Sequence, residues 1–228
     1  MTRAVYITGT DTGVGKSLAS ATLLAALHAR GVRAVGMKPV ASGCEATSAG
    51  LRNADAALLM AHSVGTPAYA DVNPYAFADP IAPHLAAADA GIDIELARIR
   101  AAFAALSAAA DFVVVEGVGG WMAPLGPRLM QADLTRELGL PVILVVGLRL
   151  GCLNHALLSA RAIRSDGAAL AGWIGSAVDA EMARREDNLA TLRERLGAPC
   201  LGVLPHQAAA DAAVLAAHLA AGIDQLME

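Results

Sequence analysis

Lysine is almost missing from this chain. Lys16 and Lys38 are the only two among seventeen basic residues, and the formal net charge is −4. This balance gives no electrostatic reason to expect nucleic acid or an anionic membrane as a partner. Cysteine is scarce too. Cys44, Cys152 and Cys200 are far apart and odd in number. They offer neither a metal-binding spacing nor a disulfide framework, and read as buried thiols of a reducing compartment. The N-terminus lacks the apolar stretch and cleavage site of a signal peptide. No apolar run approaches the roughly 20 residues of a membrane helix, so the cytoplasm is the expected location.

What is present is alanine. The apolar fraction of 56% owes much to it, which points to helices rather than to a greasy surface. A chain of 228 residues can bury a substantial core. With no internal repeat and no flexible linker, residues 1–228 read as a single domain.

Short β-rich runs alternate with helical stretches. Strands are expected at 4–8, 32–37, 111–116, 141–146, 170–176 and 200–204. Helices are expected at 17–30, 54–62, 94–109, 153–166 and 181–196, and over most of the alanine-rich tail. Residues 41–53 are small and polar and read as a loop, and 64–91, with four prolines, as irregular with short turns. Unbroken apolar strands are covered on both faces. The fold class is therefore α/β, a mainly parallel sheet with helices on each side. In such sheets sites form beyond the carboxyl ends of the strands. The glycine-rich turns after the first and third strands and the Lys38 loop after the second belong to that edge.

The first turn reads GTDTGVGKS at residues 9–17. The strict G-x-x-x-x-G-K-[ST] pattern wants glycine at position 10, where Thr10 stands, with Gly9 one place earlier. The working parts are present. Glycines let backbone N–H groups turn toward an anion, and the helix beginning near Gly15 offers its positive end. Lys16 can neutralise the outer phosphates of ATP and the Ser17 hydroxyl can ligate Mg²⁺. An ordinary glycine-rich strand-to-helix turn would need no such ending as Gly-Val-Gly-Lys-Ser. Glu116, closing the third strand, is placed to face the loop as a metal carboxylate, although a solvated strand end would look the same. Asp55 opens a helix and reads first as a cap. Lys38, at the end of the second strand, could set a second positive charge beside the transferred phosphate or simply be solvated.

These residues carry a resemblance. With KPVASG (38–43), GLRNADA (50–56), VNPYAFADPIAPH (72–84), VEGVGGWMAPL (115–125), PVILVVGLRLGCLNHALL (141–158) and LAGW (170–173), the chain resembles the dethiobiotin synthetases from about residue 4 to 206. These are enzymes of P-loop NTPase type. The resemblance implies conversion of 7,8-diaminononanoate, CO₂ and ATP to dethiobiotin, ADP and phosphate in biotin synthesis, through a carbamate and a carbamic-phosphoric anhydride. It implies catalytic roles for Lys16 and Lys38, and Mg²⁺ held by Ser17, Asp55 and Glu116. Thr12, Gly13, Val14, Gly15, Lys16, Ser17 and Leu18 would surround the nucleotide, with Gly117, Val118 and Gly119 as a nucleotide-side loop. Thr12, Lys38 and Ser42 would lie near diamine and carbamate. Gly151, Cys152, Leu153 and Asn154 would bind the substrate carboxylate across a homodimer interface. Ser176 and Ala177 stand where the family often has the Asn-Asp that reads adenine, which leaves nucleotide choice open. Pro205, His206 and Gln207 match a segment beside the nucleotide, with His206 in place of the usual Trp. His84, Tyr75, Trp121, His155 and Trp173 read as structural.

Two rivals share the loop. A P-loop amide ligase would usually need an ammonia-supplying domain, for which 228 residues leave no room. A nucleotide-switched partition or septum-placing ATPase commonly carries an extra lysine early in the loop, where this chain has Asp11.

Overall fold

A computed structural model describes residues 3–206 and 211–227. Its strands are β1 (Arg3–Gly9), β2 (Ala34–Met37), β3 (Val40–Ala41), β4 (Glu45–Thr47), β5 (Gly50–Arg52), β6 (Tyr75–Ala76), β7 (Phe112–Gly120), β8 (Val142–Gly147), β9 (Leu170–Ser176) and β10 (Cys200–Leu204). Its α-helices are α1 (Lys16–His28), α2 (Ala54–Ala61), α3 (Tyr69–Val72), α4 (Pro83–Asp89), α5 (Leu96–Ala109), α6 (Gln131–Leu138), α7 (Cys152–Ser165), α8 (Arg185–Arg195), α9 (Ala212–Leu215) and α10 (Ala220–Met227). No helix among the described residues is long and apolar enough to cross a membrane.

Six strands form one sheet in the order β10-β9-β8-β1-β7-β2, every pair parallel. The apolar runs explain the layers. Successive strand residues point to opposite faces, so Tyr6, Val113, Val115, Leu144 and Val146 enter one core while Val5, Ile7, Val114, Ile143 and Val145 enter the other. The helix α1 closes the second core through Ala19, Leu23, Leu24 and Leu27, with Leu215, Leu219 and Ile223 of the tail beside them. The helices α5, α7 and α8 cover the first core.

Tight packing of α2 over the edge strand β2 depends on Gly36. A Cβ there would lie 2.7 Å from Leu59 Cβ and 3.1 Å from Leu24 Cδ1. Because Leu59 Cβ is rooted in the helix, relief requires moving α2. Gly36→Ala is expected to destabilise the fold by about 1–3 kcal/mol, as overpacking does. The check is a lower urea midpoint at unchanged slope. An unshifted midpoint contradicts the packing.

Several expectations need correction. The 41–53 loop holds an antiparallel hairpin, β4 with β5, closed by the Thr47 hydroxyl donating to Gly50 O at 2.7 Å. Its strands are exposed or half-buried and show no apolar alternation. Residues 64–91 contain α3, β6 and α4, because Pro83 occupies the first turn of α4, where its missing N–H costs nothing. The helix α6 is an addition to the expected elements. Its start is fixed by the Asp133 carboxylate accepting from Met130 N at 2.9 Å, and its end by Gly139 at φ 63°. The strand β7 continues past Glu116 to Gly120. His155 is exposed on α7 rather than packed. Trp173 is fully buried, as expected. Cys44 and Cys152 are buried thiols, whereas Cys200 is only half-buried.

Candidate active site

The carboxyl edge of the sheet gathers the two lysines. In the register of β1 with β7, Ile7 lies beside Glu116, and Met37 of β2 pairs with Val115. Lys38, one residue past Met37, therefore emerges next to Glu116.

The loop after β1 turns back on itself. Thr10 keeps the strand going: its N–H donates to Val145 O at 2.9 Å, and its hydroxyl accepts from Gly147 N at 3.3 Å. This second bond accounts for threonine where the strict pattern has glycine. Gly15, at φ 84°, starts α1, and a Cβ there would come within 2.5 Å of Ser176 Oγ. With no acidic residue in the first turn of α1, the positive end of the helix is left for an anion. Asp11, absent from the expected site, organises the loop. Its carboxylate accepts from Thr12 N at 2.7 Å and from Arg149 at 2.6 Å, and its carbonyl accepts from Lys16 Nζ at 2.9 Å.

Around this loop lies a cavity of about 440 Å³ lined by Thr12, Gly13, Gly15, Lys16, Ser17, Leu18, Lys38, Ser42, Asp55, Val118 and Gly119. A larger one of about 720 Å³, lined by residues such as His84, Leu85, Ile92 and Leu129, shares no residue with it and holds neither lysine. Chemistry, not size, selects the smaller.

At its base sits a charge cluster. Lys38 Nζ donates to Glu116 Oε1 at 2.6 Å, to Asp55 Oδ2 at 2.8 Å and to Gly117 O at 3.2 Å. The Ser17 hydroxyl donates to the same Glu116 oxygen at 2.8 Å. Glu116 is 0% exposed and Lys38 3%. Burial alone would lower the Lys38 pKa, but Glu116 and Asp55 outweigh it and hold the ammonium above the ordinary lysine value. Burial would raise the Asp55 pKa, and the Lys38 charge overrides it, holding the carboxyl below its usual range. Lys16 goes the other way. Burial first, and the Lys38 charge second, bring it down to about 8.

The oxygens fit a magnesium ion. Glu116 Oε2 is buried without a hydrogen-bond partner, and Ser17 Oγ and Asp55 stand beside the same lysine-bound cluster. Hard oxygen donors in this number leave room for waters, as Mg²⁺ prefers. Asp55 is not the cap of α2. That is Asn53, whose side chain accepts from Ala56 N at 3.2 Å.

Val14 buries its side chain beneath the loop. Gly117 meets the cluster through its carbonyl. Ser176 abuts Gly15, and the Ala177 carbonyl lies 2.9 Å from His206 Nδ1, next to Pro205. Gln207 falls outside the described residues. Gly151, Cys152, Leu153 and Asn154 form the start of α7 and do not line the cavity, and the Cys152 side chain is buried. Trp121 donates to Asp166 at 2.7 Å, and the Tyr75 hydroxyl accepts from Glu95 N at 2.9 Å, in keeping with structural roles.

Gln131 is an addition to the expected residues. Fully buried at the start of α6, it accepts from Val118 N at 2.8 Å and from the Tyr6 hydroxyl at 2.5 Å. It also donates to Gly120 O at 2.6 Å and to Val118 O, pinning the 117–120 loop. Only the signals that bound α6, Asp133 at its start and Gly139 at its end, could have drawn attention to it.

The MinD cell division protein of Aquifex aeolicus superposes with a TM-score of 0.61, covering 99% of this chain and 98% of that one at 14% identity, a likeness of fold alone. A family model described as an AAA domain matches residues 3–214. The "ATP-dependent dethiobiotin synthetase BioD" of Xanthomonas oryzae pv. oryzae (strain PXO99A) is 58% identical over 213 residues, covering 93% of this chain and 95% of that protein. The protein of the same name from Pseudomonas paraeruginosa is 55% identical, covering 95% of each. On this identity and coverage, the chain belongs to the ATP-dependent dethiobiotin synthetases, a family of ligases.

Proposed function

We propose that this enzyme carboxylates and cyclises 7,8-diaminononanoate with CO₂ and ATP, giving dethiobiotin, ADP and phosphate. One observation carries the reading: the chain's only two lysines line one cavity, with Ser17, Asp55 and Glu116 beside them. One substrate amine adds to CO₂ and loses a proton, giving a carbamate. A carbamate oxygen attacks the γ-phosphorus, the bond to the bridging oxygen breaks, and ADP leaves. The second amine then attacks the carbonyl carbon of the mixed anhydride, expels phosphate and closes the ring.

Such transfer asks mainly for alignment and charge compensation. Lys16 and the start of α1 hold the β- and γ-phosphates. Thr12, Ser42 and Lys38 face the diamine and carbamate. Ser17, Asp55 and Glu116 would hold magnesium, which supplies charge neutralisation at the phosphate oxygens when bound. Lys38 steadies the anionic carbamate and the phosphoryl group between carbamate and ADP, a role that grows in the transition state. The loop of Gly117, Val118 and Gly119 borders the nucleotide. The residues Gly151 to Asn154 lie outside the cavity of their own chain, which suits service to the substrate carboxylate of a second copy in a homodimer.

The test is ATP turnover. Supplying the diamine and bicarbonate together should raise it, and either alone should not. Stimulation by glutamine, DNA or lipid instead would overturn the reading.

A further inference from the structure

Lys38 is held at both ends. Its backbone N–H donates to Val72 O at 2.7 Å, and its carbonyl accepts from Asn73 Nδ2 at 2.7 Å. Asn73 is buried, and the same amide nitrogen also donates to Tyr75 O at 3.1 Å. Two carbonyls on one side and a hydroxyl on the other fix which way this amide faces. Asn73 Oδ1 accepts from the Tyr69 hydroxyl at 2.9 Å, and that hydroxyl accepts from Asn53 N at 2.8 Å. Asn53 in turn caps α2, the helix that carries Asp55 to Lys38 Nζ. The Arg52 guanidinium lies 4.0 Å over the Tyr69 ring, bracing it from the other side.

The contacts form a closed circuit. It runs from the Lys38 backbone through Asn73, Tyr69, Asn53 and α2 to Asp55, and back to the Lys38 ammonium. We infer that Asn73, with Tyr69 behind it, is a positioning residue that sets where the Lys38 ammonium stands. This rests on the role given to Lys38 under Proposed function. A misplacement of about 1 Å at such a group costs on the order of 100-fold in rate. Residues 9–16 make none of these bonds, and the loop meets the circuit only where Ser17 shares the carboxylates with Lys38, so nucleotide binding should suffer far less than turnover.

The experiment compares Asn73→Ala and Tyr69→Phe, each also in a Lys38→Ala background. Circular dichroism establishes folding, titration gives ATP affinity, and single-turnover ADP formation gives the rate. Asn73→Ala should lower kcat by about 10–100-fold with ATP Kd within about twofold. Tyr69→Phe, which removes one oxygen, should show a smaller loss of the same kind and carries the test if Asn73→Ala does not fold. In the Lys38→Ala background neither substitution should add a further loss, since they act through the missing ammonium. Full kcat in both folded single variants, an undiminished loss without Lys38, or an ATP affinity falling as steeply as kcat overturns the inference. If Lys38→Ala alone turns over at the normal rate, the role of Lys38 falls and the inference with it. A crippled Lys38→Ala beside fully active Asn73→Ala and Tyr69→Phe removes only the inference.

Discussion

Lys38→Ala is expected to lower kcat by about 10²–10³-fold, the cost of removing one preorganised charge that meets a developing anion. ATP Kd should change by no more than about threefold, because Lys38 itself bonds no residue of the phosphate loop and meets it only through the Glu116 oxygen it shares with Ser17. Pre-steady-state ADP formation beside a binding titration checks the split. Equal losses in both would contradict a role confined to reaction. The variant also leaves the carboxylate of Glu116 buried without its lysine, and breaking such a pair costs on the order of 3–5 kcal/mol. Assays therefore belong well below the melting temperature of the variant.

Lys16→Ala should act on binding instead, raising ATP Kd by about 10–100-fold, the worth of a charge-assisted hydrogen bond. Protons supply a second signature. Lys16 is buried and faces another ammonium, and its pKa falls to about 8, so the free protein holds it partly neutral there. A bound triphosphate restores the charge. Binding should then take up about half a proton near pH 8, more above it and little below pH 7. Apparent affinity should accordingly decline as pH rises past 8. Calorimetry in buffers of different ionisation enthalpy reads the uptake, and the same uptake in Lys16→Ala would assign it elsewhere. The stability effect has the opposite slope. The folded pKa lies below the ordinary value of 10.5. Between about 8 and 10.5 the unfolded chain therefore binds more protons, and the penalty that Lys16 places on folding is relieved as pH rises.

The six sheet strands, α1 and the phosphate loop were legible because their signals are local: apolar runs, glycines, and Lys-Ser at fixed spacing. Lys38 was legible as the residue closing a strand and Glu116 was read the same way although β7 runs on to Gly120, but their mutual contact depends on β7 lying between β1 and β2, a neighbour order the chain order hides. Asp55 was misread as a cap because a single residue decides which side chain meets the first N–H groups, and Asn53 wins that place. Asn73, Tyr69 and Gln131 were opaque for another reason. Their amides and hydroxyl serve backbone groups brought near only by folding, and neutral polar residues carry no pattern that announces such partners. The β4–β5 hairpin escaped notice since it buries too little to impose alternation.

The two ammonium groups are rooted in unequal ground. Lys16 opens α1 behind the loop that follows β1, a strand with a neighbour on either flank, whereas Lys38 leaves β2, the last strand at the margin of the sheet. Local opening costs least where an element has fewest neighbours, and β2, although buried, is paired on one flank only. Warming should thus uncouple the two halves of the chemistry in a set sequence: an enzyme that still clasps its nucleotide but has lost the power to use it.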